Sequence, residues 1–326
     1  MLPKFSHIRP TTLKEALAVL EDKEARIHGG GTDLIGCLRD EVFDTETVVS
    51  LGAIGGLKGI SAATDGGLKL GAITTIAEIA DHETIATHYA ALADAAKVVA
   101  SPQLRNQGTI AGNLAQKPRC WYYRGDFDCL RKGGEICYAY EGENQYHCIF
   151  GGDLCYIVHP SDTAPALAAL GAVCRVSSPS ASRSVAVDKL HIPPSVDPQR
   201  ETVLSDDEII TEIVLPKTPP GLRSSYRKVR SRAAWDFAVA GVALALVFDG
   251  KTVRSARVFL SGAAPVPWRA SGVEAAITGT TLDAATITAA AEASVAGAEP
   301  LSENGYKIEL FKGLMREQLE NTKQGQ

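Results

Sequence analysis

The stretch ARIHGGGTDLIGCLRD (Ala25–Asp40) runs from a short apolar-containing segment through three glycines into an amphipathic one. It predicts a strand, a glycine loop and a helix, the arrangement in which backbone N–H groups at a helix start can cradle phosphate. The loop GGGTDL (Gly29–Leu34) is no Rossmann fingerprint, because G-x-G-x-x-G needs glycine where Leu34 stands. It is no P-loop either, since no Gly-Lys-Ser/Thr follows. A triple glycine by itself is more often a tight turn than a ligand site. Upstream, Thr12 with Glu15 forms a capping-box pattern before Leu13, Ala16, Leu17 and Leu20, which predicts a helix over about 12–22. Downstream, TETVVSL predicts a second strand, so residues 1–55 read as a small α/β unit.

Further along, ISAATDGGLKLGA reads as a hairpin turning at Asp65-Gly66-Gly67, followed by helices over about 75–82 and 84–100. Residues 101–116 are loop-like, and LRNQGTIAGN (Leu104–Asn113) within them pairs Gly108 and Gly112 with Thr109 and Asn113. Such a loop offers backbone and side-chain donors to an anion without a positive charge, and reads equally as a turn between short strands. SDTAPALAALGA predicts a capped helix, where Asp162 could accept from a ribose hydroxyl or serve as the N-cap. AVCRVSS and SRSVAVDKL predict strands. The Pro-rich LPKTPPGL (215–222) marks a boundary between residues 56–218 and a last domain, 222–326. That domain predicts a three-stranded antiparallel sheet with a hairpin at Asp249-Gly250, backed by a helical tail.

With 326 residues, 45% apolar and 22% charged, the chain is long enough for two or three ordinary cores. A net charge of -5 with scattered Lys and Arg gives no footprint for nucleic acid, and no nucleic-acid motif is present. The longest apolar run, FAVAGVALALVF (Phe237–Phe248), is too short for the ~18–20 residues of a membrane span. The N-terminus carries no apolar signal-peptide core, so the expected compartment is the cytoplasm, although a partner's signal could export the folded subunit.

Five of the seven cysteines and eight of the twenty aromatic residues fall between Cys120 and Cys155. In a reducing compartment such a cluster binds metal more readily than it forms bridges. Thiolates select zinc or iron–sulfur, and a cubane needs four of them. Gaps of eight, seven, ten and six residues match neither a compact ferredoxin run nor a C-x2-C zinc ribbon. They suit a loop wrapped round its cluster. The aromatic rings suffice to give an irregular insert a core of its own, and His147 and His159 read as structural residues. Cys37 and Cys174 read as buried small hydrophobes.

GGGTDL, LRNQGTIAGN, HPSDTAPAL, EIITEIVLP and YRKVRSRAAWDFA, in that order, resemble the FAD-binding medium subunit of the xanthine dehydrogenase (molybdenum hydroxylase) family. The resemblance extends to YKIELFKGLMREQL near the end of the chain. It implies an α+β protein with a two-part, vanillyl-alcohol-oxidase-like (PCMH-type) FAD domain and a small α+β C-terminal domain. It implies FAD contacts from Gly29, Gly30, Gly31, Thr32, Asp33 and Leu34 in the first loop and Gly108, Thr109, Gly112 and Asn113 in the second. Asp162 would contact ribose, Ile210 would be the apolar flavin contact, and Lys228 would stand near the isoalloxazine ring. Where relatives often have Ala before Gly-Gly, this chain has Gly29, preceded by His28, a departure expected to alter loop flexibility more than chemistry.

Relatives pass from the second loop to the Ser-Asp pair in about ten residues, whereas 47 lie between Asn113 and Ser161 here. An insert over about 115–158 of this kind resembles those of 4-hydroxybenzoyl-CoA reductase and exported-type bacterial aldehyde oxidoreductase, which bind a [4Fe–4S] cluster. The resemblance implies Cys120, Cys129, Cys137 and Cys155 as ligands, with Cys148 a bystander. No C-x4-C-x2-C pattern and no room for a molybdopterin domain exist in the chain. The resemblance therefore implies a small [2Fe–2S] subunit and a large molybdopterin subunit as partners, with ferredoxin as an electron acceptor. A zinc-stabilised assembly subunit that binds no flavin is the competing expectation.

Overall fold

The computed structural model describes residues 2–21 and 24–324. The first unit contains β1 (Ser6–Ile8), α1 (Leu13–Leu20), β2 (Ala25–His28), α2 (Leu34–Arg39) and β3 (Thr47–Ser50). The strands form a parallel sheet in the order β1-β3-β2. The capping box at the head of α1 is present, with Glu15 N–H donating to Thr12 Oγ1 at 3.2 Å. Ala16, Leu17 and Leu20 bury one face of α1 against Ala25, Val49 and Leu51. The helix end expected at residue 22 lies outside the described residues.

The second unit begins with the hairpin β4 (Ile60–Ala62) and β5 (Leu68–Gly71), whose tip has Gly66 at φ 85°. α3 (Ile76–Ala80), α4 (Glu83–His88) and α5 (Ala90–Val98) follow. The single helix expected over 84–100 breaks at Tyr89, whose backbone leaves the helical region at φ -133°, ψ 48°. The stretch expected to be loop contains two short helices, α6 (Pro102–Arg105) and α7 (Ile110–Leu114), capped by Ser101 and Thr109. After α8 (Trp121–Arg124) in the cysteine segment come α9 (Thr163–Ala169), β6 (Val173–Ser177), β7 (Ser182–Ala186) and β8 (Ile209–Leu215). The sheet order is β4-β5-β8-β6-β7. The central strand β8 comes from EIITEIVLP, a motif noted for its resemblance rather than as a strand.

The C-terminal unit pairs β9 (Leu222–Val229), β10 (Ala240–Asp249), β11 (Thr252–Ser261) and β12 (Trp268–Arg269) in the antiparallel order β12-β11-β10-β9. The two-residue β12 extends the expected three strands to four. α10 (Ser271–Ile277), α11 (Ala284–Ala293) and α12 (Lys307–Gln324) back the sheet. β10 explains the long apolar run. Val242, Leu244 and Leu246 face the helices of this unit, while Ala243 and Ala245 join the core of the second unit. A strand buried on both faces loses the polar alternation of a half-exposed one. β9 packs across α5, and β10 and β11 across α9, which joins the C-terminal unit to the second unit. Among the described residues, no helix is long and apolar enough to cross a membrane.

Candidate functional site: two glycine loops and a thiol-lined cavity

The two glycine loops meet backbone to backbone. A Cβ on Gly30 would stand inside the carbonyl of Gln107, so only glycine permits this approach. Gly31 sits at φ 73°, and a Cβ there would come within 2.5 Å of His28 Nε2. The His28 ring thus lies directly against Gly31. Among the described residues, no protein acceptor takes the backbone N–H of Gly30, Gly31 or Thr32. Such a run of unpaired N–H groups is a cradle for an anion.

A cavity of ≈ 240 Å³ on one side of the loops is lined by Gly29, Gly30, Leu34 and Ile210, with Leu51 and Ile209 among its apolar walls. A cavity of ≈ 460 Å³ on the other side is lined by Gly108, Asn113, Asp162 and Lys228, with Trp235 and Phe237 at its edge. Gly31, Thr32, Asp33, Thr109 and Gly112 border both. All thirteen residues expected to touch the dinucleotide thus line one cavity or the other. Ile210 lines the first of these cavities and Lys228 the second.

The larger cavity holds a buried ion pair. Lys228 Nζ donates to Asp162 Oδ2 at 2.7 Å, and Tyr226 OH donates to Asp162 Oδ1 at 2.7 Å. Burial pushes the Asp162 carboxyl above its usual range, opposed by Lys228 and then Tyr226. Tyr226 and Lys228 are two residues apart on β9 and share one face of it. The helix cap is Ser161, whose Oγ accepts from Ala164 N–H at 3.0 Å, which leaves Asp162 free for the pair. Asn113 Oδ1 accepts from Ser161 at 2.6 Å and Thr163 at 2.7 Å, tying the second glycine loop to α9. The amide nitrogen of Asn113 remains its donor toward the cavity.

Asp33 has a role that its place in the glycine loop did not reveal. Its carboxylate accepts from Lys117 N–H at 2.7 Å and pairs with Arg119 at 2.9 Å and Arg124 at 2.7 Å. All three partners stand at the entrance to the cysteine segment. The first loop is thereby bolted to residues flanking Cys120.

Cys120, Cys129, Cys137 and Cys155 line one cavity of ≈ 10 Å³, together with Tyr122, Tyr123 and Arg131. Cys148 is buried outside that lining. All seven cysteines are unbridged. The Cys155 thiol is pushed below its usual range by a hydrogen bond from Cys137, aided by Arg131 and opposed by burial. Burial raises Cys120 to about 11 and pushes Cys148 further up. Arg131, itself buried, is held by Glu201 Oε1 at 2.7 Å, which also pairs with Lys117. Among the described residues, no three His, Cys, Asp or Glu side chains are grouped as a single metal ion would need them. Cys37 and Cys174 are buried in helix and strand, as expected.

His147, expected to be structural, lies against this cavity with Nε2 3.3 Å from Cys120 Sγ. Burial, then Lys307, lowers its pKa to about 4. Nothing local to HCIFGG announces a contact with a thiol 27 residues earlier. A third cavity, of ≈ 200 Å³, is lined by Arg119, Cys120, His147 and Phe237, and so bridges the thiol-lined space and the larger loop cavity.

Cavities flanking paired glycine loops, with a buried ion pair at one end, define a protein built to hold an elongated ligand across the loops. Residues 3–218 match the family model described as the FAD binding domain in molybdopterin dehydrogenase, and residues 224–322 match the CO dehydrogenase flavoprotein C-terminal domain. The chain belongs to the family of FAD-binding medium subunits of molybdenum hydroxylases. It is similar to the aldehyde oxidoreductase FAD-binding subunit PaoB of Escherichia coli (strain K12), at 34% identity over 313 residues, covering 94% of this chain and 95% of that one. It is also similar to the carbon monoxide dehydrogenase medium chain of Hydrogenophaga pseudoflava, at 26% identity, with coverages of 91% and 88%. Reconstituted CO dehydrogenase from Oligotropha carboxidovorans shares the fold, with a TM-score of 0.79 at 23% identity and 99% of both chains covered.

Proposed function

We propose that this medium subunit carries both FAD and a [4Fe–4S] cluster and passes electrons between them and its partners. The observation that carries this reading is the convergence of Cys120, Cys129, Cys137 and Cys155 on one cavity, with Cys148 left out. Four soft donors in a ring of aromatic side chains fit an iron–sulfur core. A zinc ion would instead draw its thiolates to about 2.3 Å from one point.

For FAD, the N–H groups of Gly30, Gly31 and Thr32 suit the pyrophosphate, backed by the second loop at Gly108, Thr109, Gly112 and Asn113. Asp162 would contact the ribose, Lys228 would stand near the isoalloxazine ring, and Ile210 would be an apolar contact of the flavin. When bound, the flavin exchanges single electrons for pairs and the cluster carries single electrons. Lys228 contributes a fixed positive charge, and Trp235 and Phe237 limit water at the rim. A cavity lined by both Cys120 and Phe237 supports a route between the cluster and the flavin.

The partners in this reading are a large molybdopterin subunit, where an aldehyde or aromatic substrate is handled, and a small [2Fe–2S] subunit. Ferredoxin is the proposed acceptor. Seven unbridged thiols suit assembly in the reducing cytoplasm.

The test is anaerobic purification followed by metal, sulfide and flavin analysis. One FAD and about four irons per chain are expected. Serine at position 120, 129, 137 or 155 should abolish iron binding, and Cys148→Ser should retain it. Colourless protein with one zinc would establish the assembly subunit instead. Unchanged electron-transfer rates after loss of one ligand would remove the proposed electron route.

A further inference from the structure

The function proposed above leaves the imidazole of His147 unused, although it is buried beside the thiol-lined cavity. Its Nε2 is 3.3 Å from Cys120 Sγ, while Nδ1 is buried without any partner. The edge of the ring packs against Trp121, with centroids 5.3 Å apart and planes at 79°. A neutral imidazole carries one N–H, and a metal-bound thiolate can only accept. That N–H gains a partner at Nε2 and none at Nδ1, which selects the Nε2–H tautomer.

The C-terminal unit sets the ring in place. Asn304 Nδ2 donates to His147 O at 3.1 Å and Cys148 O at 3.0 Å. Lys307 Nζ donates to His147 O at 2.8 Å, Tyr146 O at 3.1 Å and Gly262 O at 2.8 Å. Residues from the head of α12 thus fix the backbone that aims His147 at Cys120.

We propose that His147 donates Nε2–H to the sulfur of Cys120 and thereby raises the reduction potential of the cluster bound there, with Asn304 and Lys307 as positioning residues. A hydrogen bond to a ligand sulfur draws off charge and favours the reduced, more negative core. The proposal rests on the cluster reading above.

The experiment is a spectroelectrochemical titration of the full chain and its variants, each checked for iron and flavin content. His147→Phe should keep its iron and titrate at a lower potential than wild type. His147→Gln, which retains an N–H donor, should recover part of the difference. Lys307→Met should shift in the same direction by less. Independently, wild-type protein labelled with 15N-histidine and reduced should show a 15N coupling in pulsed electron paramagnetic resonance. If His147→Phe fails to load iron, the labelled wild type decides alone. A His147→Phe potential equal to wild type, or iron-loaded wild type without 15N coupling, would overturn this proposal and leave the cluster reading standing. Wild type lacking iron and sulfide would overturn both.

Discussion

At the scale of single residues, Lys228 and Asp162 show how a polar pair survives in a core. Side-chain exposures of 1% and 4% leave neither group access to water, so each depends on the other. Lys228→Met would strand a buried carboxylate, and we expect it to destabilise the chain by about 3–5 kcal/mol. The double variant Lys228→Met/Asp162→Asn should recover much of that loss in urea unfolding, because no charge is then left unpaired. His159 and His191 form a second buried pair, with ring centroids 4.0 Å apart. His191 Nε2 donates to Leu114 O at 2.9 Å, and burial lowers its pKa to about 4. Its unfolded counterpart takes a proton near 6.5, so the stability it contributes is full above that value and is lost as pH falls toward 4. The loss amounts to about 3 kcal/mol at 1.36 kcal/mol per unit. Burial lowers His159 well below its ordinary value, which adds in the same direction. Unfolding midpoints at pH 7 and 5 should therefore differ less for His191→Asn than for wild type.

At the scale of elements, the cysteine segment has little regular structure of its own, only α8 and a single turn over Leu130–Lys132. It is held from outside. Asp33 grips its start, and the head of α12 grips its second half through Asn304 and Lys307. Asn144 adds to the clamp by exchanging hydrogen bonds with Ser302 and Glu303. Lys307→Met leaves Tyr146 O and Gly262 O without their donor, while His147 O keeps Asn304, at a cost of about 1–3 kcal/mol for each buried group left unpaired. Hydrogen exchange should quicken in residues 144–150, while β10 and β11 keep wild-type protection. Equal exchange in 144–150 would show that the clamp contributes nothing.

At the scale of the whole molecule, the loop cavities are tied to the cysteine segment through Asp33. Asp33 borders both loop cavities and binds the arginines flanking Cys120. Asp33→Asn is expected to lower flavin and iron content together, each several-fold. Cys129→Ser should lower iron alone. Measuring both cofactors on the same preparations separates these outcomes.

The strand–loop–helix at Ala25–Arg39, the α1 capping box and the β4–β5 hairpin were legible in the chain. Caps, turns and periodicity are short-range effects of neighbouring residues. Motif order likewise marked the glycine loops and the cysteine insert. Only the tertiary structure brought Cys120, Cys129, Cys137 and Cys155, far apart in the chain, to the lining of one cavity that Cys148 does not join. It also decided that Ser161, not Asp162, caps α9, that Asp33 reaches the insert, and that His147 meets Cys120. Each of these depends on side chains converging from distant positions, and their geometry exists only once the sheets and helices have packed.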